Sequence, residues 1–190
     1  SKVMCWVALD RAIKMAERLE MPANLDRWRR ERDAIHDEVM REGWSEAKQA
    51  FVQHYGTDAL DAANLQIGIV GFLPHDHPRV KSTIEATLRE LTSDDQELVY
   101  RYVNPDGLPG GEGVFSICTF WLADALILSG EVERGERIFK RMLRHANHVG
   151  LYSEEIDPRT GEFLGNFPQA FTHIALINTA HFLEWAHRNR

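Results

Sequence analysis

Residues 114–128, VFSICTFWLADALIL, decide how this chain folds. Apolar side chains such as Phe115, Cys118, Trp121 and Leu122 stand on every side of a helix built from this stretch. A helix without a polar face has to be surrounded by protein, because water would otherwise contact a broad apolar surface. The stretch therefore predicts a central, buried helix against which the neighbouring segments pack.

Apolar and amphipathic segments alternate outward from this stretch. Single apolar stripes, typical of helices with one wet face, occur in residues 24–41, 79–91 and 132–147. Apolar side chains surround most of the helices predicted at residues 3–19, 59–73, 114–128 and 170–187. Alternation of this kind predicts about seven helices that lie in turn in an inner and an outer layer, as in an all-α toroid.

Two other helical architectures fit the pattern less well. A simple bundle would show amphipathic helices throughout, without the fully apolar ones. A helical repeat array would show a sequence period of roughly 20 to 50 residues, and none is found. Between the helices, residues 43–56 predict an extended loop or a brief hairpin, because a short β-prone run lies between two glycines.

Composition narrows the function. A chain of 190 residues with 44% hydrophobic side chains has the composition of one globular domain. Its net charge of -7 argues against a nucleic-acid or membrane partner, since both recruit basic surfaces. Cys5 and Cys118 stand in apolar runs and are expected to be reduced core thiols of a cytoplasmic protein. No apolar run approaches the roughly 20 residues that cross a bilayer.

The first residues enter an apolar helical pattern at once, from Ser1 to Leu9. Domains usually begin with a few frayed polar residues instead. We therefore expect residues 1–190 to be the C-terminal portion of one larger domain, without an internal domain boundary.

Glu154 and Glu155 are the strongest candidates for chemistry, in a loop bounded by Gly150 and Pro158. Adjacent side chains diverge, so we expect only one of them to face a given pocket. Solvated loop acids are the ordinary interpretation of such a pair. Aromatic and amide groups nearby favour a sugar ligand, which stacks its C–H face and needs its hydroxyls paired. These groups are Tyr152, Phe163, Asn166, Phe167, Gln169, Phe171 and His173.

Two more charged residues have both a functional and a structural interpretation. Glu112, between two glycines, either contacts a ligand at the exposed backbone or stabilises the N-terminus of the following helix. Arg101 either donates paired hydrogen bonds to a ligand or joins a surface ion pair with an acid such as Asp106. His75 and His77 lack a third ligand at useful spacing, so we expect no metal, and no cofactor motif is present.

Five segments together carry a resemblance to a known family. They are SKVMCWVALDRA at residues 1–12, YG through LDAA at 55–63, GFLP at 71–74, GEGVF at 111–115 and GNFPQAFTH at 165–173. In this order they resemble the bacterial branch of glycoside hydrolase family 15, which comprises glucoamylases, glucodextranases and some trehalases. The resemblance covers essentially the whole chain and implies an (α/α)6 toroid, of which this chain would supply the second half.

The resemblance also implies an inverting mechanism with two glutamates. The family's base motif is similar to LYSEEID at residues 151–157, which assigns the general base to Glu154 and puts Glu155 where a glutamine often stands. Substrate binding is expected of Arg101 and Tyr102, which resemble the family's Arg-Tyr pair, and of Glu112, Glu155 and His173. The family's general acid should precede Ser1, so the chain alone is expected to be inactive.

The expected function is therefore that of an exo-acting, inverting α-glucoside hydrolase of the glucoamylase kind. Its alternatives are an α,α-trehalase of the same family and a non-catalytic helical domain that binds carbohydrate or acts as a scaffold. The expected partners are an α-glucan or a glucose disaccharide and the N-terminal half of the same domain.

Overall fold

The computed structural model of the chain describes residues 1–93, 98–103 and 113–189. Seven α-helices make up most of these residues, which confirms the all-α class predicted from the sequence. They are α1 (Lys2–Arg18), α2 (Leu25–Glu42), α3 (Gln66–Ile69), α4 (Pro78–Glu90), α5 (Ser116–Leu128), α6 (Val132–Leu143) and α7 (Ala170–Arg188).

Local signals set several of the helix ends. The Asn24 side chain accepts a hydrogen bond of 3.2 Å from the Arg27 amide and so caps the N-terminus of α2. Pro78 occupies the first turn of α4, where its missing N–H costs nothing. Beyond α5, Gly130 adopts a φ of +95°, a conformation that stops the helix and that other residues rarely adopt.

α5 is the centre of the molecule. Ten of its 13 residues are buried, and it packs against α3, α4, α6 and α7. Phe120 and Leu126 are fully buried, as the apolar pattern around the helix predicts. α6 approaches α5 closely at Gly135, where an added Cβ would lie 2.5 Å from Cγ1 of Ile127.

Two small antiparallel sheets join the helices. β1 (Trp44–Ser45) pairs with β2 (Ala50–Phe51), which is the brief hairpin expected between residues 43 and 56. β3 (Val114–Phe115), β4 (Glu155–Ile156) and β5 (Phe163–Leu164) form a three-stranded sheet beside the N-terminus of α5. The sequence did not predict this second sheet. It brings the loop after α6 against the start of α5.

The predicted long apolar helix at residues 59–73 is shorter in the structure. A 3-10 turn, Ala62–Leu65, leads directly into α3, Gln66–Ile69. The segment is nevertheless buried, since Leu65, Ile67 and Phe72 are each at most 5% exposed. Its inner position is thus as expected.

α1 and α7 are covered only in part by the described residues. On α1, Met4 and Met15 are 54% and 58% exposed, because only α2 covers most of its length. On α7, Ile177 is 66% exposed, since α5 and α6 cover only one side. Cys5 is also exposed rather than in the core, whereas Cys118 is buried as expected. Both helices thus present a bare apolar face.

Candidate functional site

Glu154 stands just before β4, at the point where the chain meets the start of α5. Its amide donates to the Asn166 carbonyl at 2.9 Å, and its own carbonyl accepts from the Ser116 amide at 3.0 Å. These backbone bonds tie Glu154 to β5 on one side and to α5 on the other. Glu154 itself is half-buried.

A single oxygen of the Glu154 carboxylate receives two hydrogen bonds. Its Oε2 accepts from the Asn166 backbone N–H at 2.9 Å and from the Asn166 side-chain Nδ2 at 2.7 Å. Hydrogen bonds to an ionised carboxylate are among the stronger ones in proteins. The carboxylate is therefore held through one of its two oxygens.

Gly165 leaves the space that this arrangement needs. It adopts a φ of +69°, and an added Cβ would lie 2.8 Å from Oε2 and 3.0 Å from Cβ of Glu154. Contacts of this length are closer than non-bonded atoms tolerate, so another side chain here would push Glu154 aside. Gly165 was not predicted as a site residue, and Asn166 was predicted only as one of the amide groups that favour a sugar ligand, not as a partner of Glu154. The GNFPQAFTH segment was a signal, although only for the family.

Glu155 points away from Glu154. It lies on β4 opposite Phe115 and Leu164, and a Cβ built on Gly113 would lie 3.1 Å from its Oε2. Consecutive strand residues face opposite sides, so the two carboxylates separate as the sequence predicts. Glu155 thus lies beside the segment that leads into β3. Glu112 itself lies outside the described residues.

His173 sits on the first turn of α7 and holds the loop that carries Glu154. Its Nδ1 lies 2.7 Å from the Gln169 carbonyl, and its Nε2 accepts a long bond of 3.4 Å from the Tyr152 amide. This pairing requires the proton on Nδ1. The ring also meets Tyr152 edge-on, at a centroid distance of 5.7 Å. The geometry gives His173 a supporting contact, and its contact with substrate stays a prediction.

Tyr152 anchors the loop in the core. It is 2% exposed and packs edge-on against Phe120 of α5, with ring centroids 6.1 Å apart. Burial raises the pKa of its phenol, so the ring stays neutral near physiological pH. On the far side of the loop, a hydrogen bond from Arg159 lowers the pKa of the Asp157 carboxyl. The residues on either side of Glu154 are therefore fixed.

Arg101 and Tyr102 lie after the fourth helix, with the Arg101 guanidinium carbon 5.5 Å from the Tyr102 ring centroid. The exposed Arg101 side chain lines a cleft of about 540 Å³. Ser1, Gln53, Asp61 and Asn64 line the same cleft, which the sequence did not predict. Of the described residues lining it, none belongs to the three-stranded sheet. The predicted site residues therefore fall at two places, the Glu154 loop and the Arg101 cleft.

No three His, Cys, Asp or Glu side chains in residues 1–93, 98–103 and 113–189 are arranged to hold a metal ion. No helix in that part of the chain is long and apolar enough to cross a membrane.

Comparison with known proteins bears on both the fold and the family. The chain is 50% identical over 179 residues to a trehalase of Mycobacterium tuberculosis, covering 94% of this chain and 26% of that protein. It is 42% identical over 190 residues to a trehalase of Thermoplasma acidophilum, covering 100% of this chain and 32% of that protein. The chain thus spans about a quarter to a third of the length of these relatives.

A solved glycosidase chain, only 19% identical, superimposes with a TM-score of 0.77 over 91% of this chain and 48% of its own length. At this identity the likeness concerns the fold, which is the helical toroid expected from the alternating layers. The family model for glycosyl hydrolases family 15 matches residues 1–181. The chain belongs to glycosyl hydrolases family 15.

Proposed function

We propose that this chain forms part of an inverting hydrolase that splits α,α-trehalose into two molecules of glucose. The choice of trehalose as the substrate rests on the 50% and 42% identity to proteins named trehalase. The sequence alone favoured glucoamylase-like action on glucan ends, with trehalase as the alternative. The relatives support that alternative better than the main expectation.

Glu154 is the proposed general base. The residue is half-buried, and both hydrogen bonds from Asn166 end on Oε2, so in the proposal Oε1 is the oxygen that accepts a proton from water. Glu154 takes a proton from water as the water oxygen bonds to C1 of one glucose. The bond from C1 to the bridging oxygen breaks, and an acid protonates that oxygen. In inverting enzymes the two carboxyls lie roughly 6.5–9.5 Å apart.

The remaining site residues are proposed to hold the sugar. Arg101 is exposed on the cleft, where its guanidinium can donate paired hydrogen bonds to hydroxyls of the leaving glucose. Tyr102 stands beside it. Glu155 and Glu112 are proposed to bind substrate near Gly113, and His173 to do so from the start of α7.

The general acid is proposed to come from the part of the domain that relatives have and this chain does not cover. The bare apolar faces of α1 and α7 support this, because they fit the inner helices of a toroid whose other half packs against them. For the chain alone we expect no turnover, since losing the acid removes a factor of about 10²–10⁴.

A chimera tests the proposal. This chain replaces the matching segment of the Mycobacterium tuberculosis trehalase, and trehalose, maltose and isomaltose are offered in turn. We expect trehalose to be the best substrate. Proton NMR in the first minutes should show α-glucose and β-glucose in equal amounts, because inversion at one α-centre leaves the other unchanged. Faster hydrolysis of maltose than of trehalose would favour the glucoamylase-like function instead.

Two variants of the chimera test the base. Glu154→Gln removes the proton acceptor with little change in shape, and we expect kcat to fall about 10²–10⁴-fold. Glu162→Gln is the matched control, since Glu162 is an exposed glutamate of the β4–β5 turn. If the chain were a non-catalytic binding domain, the parent would show no turnover, and Glu154→Gln would bind trehalose almost as tightly as the parent. Undiminished turnover in Glu154→Gln would refute the assignment.

A further inference from the structure

The Glu154 carboxylate is held asymmetrically. Both hydrogen bonds from Asn166 end on Oε2, at 2.9 Å from the backbone N–H and 2.7 Å from Nδ2. Among the described residues, Oε1 accepts no hydrogen bond. The two oxygens can therefore differ in function: Oε2 anchors the carboxylate, and Oε1 can accept a proton.

Gly165, which directly precedes Asn166, also packs against the Glu154 side chain. Its Cα hydrogen faces Glu154, and a Cβ in its place would lie 2.8 Å from Oε2, 3.0 Å from Cβ and 3.3 Å from Cδ. The contact thus runs along the Glu154 side chain rather than touching its tip. Gly165 therefore determines how close β5 can bring the Asn166 donors to Oε2.

We propose that Gly165 and Asn166 are positioning residues for the reaction, which clamp Oε2 of Glu154 so that Oε1 faces the attacking water. The inference rests on the proposed function of Glu154 as the general base. The clamp supplies orientation, since neither residue has to touch substrate. A base displaced by about 1 Å loses on the order of 10²-fold in rate, so the fit of a single glycine matters.

The loop contains a matched control for this idea. Gly161 lies in the β4–β5 turn and Gly165 directly after β5, and both adopt a positive φ, +74° and +69°. An alanine at either position carries the same backbone strain. A Cβ at Gly161 meets nothing within 4 Å, whereas a Cβ at Gly165 meets Glu154. Any difference between the two alanine variants therefore reports contact with Glu154.

The experiment measures kcat and KM for trehalose in the chimera. For Gly165→Ala we expect kcat to fall at least tenfold below that of Gly161→Ala, with similar KM. Asn166→Ala should also lower kcat with little change in KM, because it removes one of two donors. Asn166→Ser, which can still offer a hydroxyl donor, should recover part of the rate. Equal kcat for the two glycine variants would overturn the proposal.

A second measurement does not depend on turnover. Unfolding of Gly165→Ala and Gly161→Ala is compared with and without Glu154→Ala, which removes Cδ and both oxygens. We expect any excess destabilisation of Gly165→Ala to shrink when Glu154 is truncated; an excess that is unchanged would contradict the clamp. If the chimera is active and Glu154→Gln leaves its kcat unchanged, Glu154 is not the base, whatever the glycine and Asn166 variants show.

Discussion

The Thr179 hydroxyl on α7 and Oδ1 of Asp124 on α5 share a hydrogen bond of 2.5 Å, in the interior between the two helices. Asp124 is 3% exposed, and burial raises the pKa of its carboxyl to about 7. The same Thr179 hydroxyl lies 3.0 Å from the Ala175 carbonyl, although it carries only one proton. A protonated Asp124 satisfies all three groups, because it can donate to Thr179 while Thr179 donates to Ala175.

The contribution of Asp124 to the stability of the fold should therefore fall as pH rises. Between an ordinary aspartate pKa of about 3.9 and about 7, the folded chain keeps a proton that the unfolded chain has lost. The contribution of Asp124 to the free energy of unfolding decreases across this window and stays constant above it. Asp124→Asn keeps the shape and cannot ionise, so we expect it to stabilise the fold by up to about 4 kcal/mol at pH 8 and little at pH 4.

Urea unfolding of both proteins at pH 4, 6 and 8 measures this difference. Thr179→Ser, which keeps the hydroxyl, should retain the pH dependence of the parent and so serves as the control. A parent and an Asp124→Asn variant whose stabilities change in parallel with pH would show that Asp124 is already ionised in the fold.

Some of this molecule was predictable because burial on all sides leaves a strong signal in the sequence. Residues 114–128 have no polar face, and the helix they form is the buried centre. Apolar composition does not say which partner is present, however. The sequence predicts that the helices at residues 3–19 and 170–187 are as buried as the one at 114–128, although Met15 and Ile177 are more than half exposed in this chain.

The site was predictable only in part, for a similar reason. The motif around Glu154 was visible locally, and so was the divergence of its neighbour Glu155. The three-stranded sheet that carries them was not, because strands of two residues show no alternating pattern. The clamp by Gly165 depends on two segments meeting in space, which no local pattern encodes. The role of Glu154 as base stays a prediction.

Phe120 and Phe171 differ in exposure, and their removal should therefore change the free energy of unfolding by different amounts. Phe120 is fully buried between Phe139 and Tyr152, so Phe120→Ala should cost about 3–5 kcal/mol of unfolding free energy. Phe171 is 61% exposed on α7, so Phe171→Ala in the isolated chain should change stability by less than about 0.5 kcal/mol.

Urea denaturation and solution mass measure both variants. In the chimera, where the proposed other half of the toroid covers α7, Phe171→Ala should become costly as well. A large cost in the isolated chain would instead show that the apolar face is covered there, for example by a second copy, and the solution mass would reveal that copy.

Gly135 sets the distance between α5 and α6. A Cβ at this position would lie 2.5 Å from Cγ1 of Ile127 and 2.8 Å from the Ala123 carbonyl oxygen. Helix propensity alone predicts that Gly135→Ala gains up to about 1 kcal/mol. The contact with backbone outweighs this, because α6 must move away from α5, and we expect a net loss of about 1–3 kcal/mol. Arg137→Ala, at an exposed position of the same helix, is the control and should be nearly neutral. A stabilised Gly135→Ala in thermal unfolding would mean that the two helices are not in close contact at this residue.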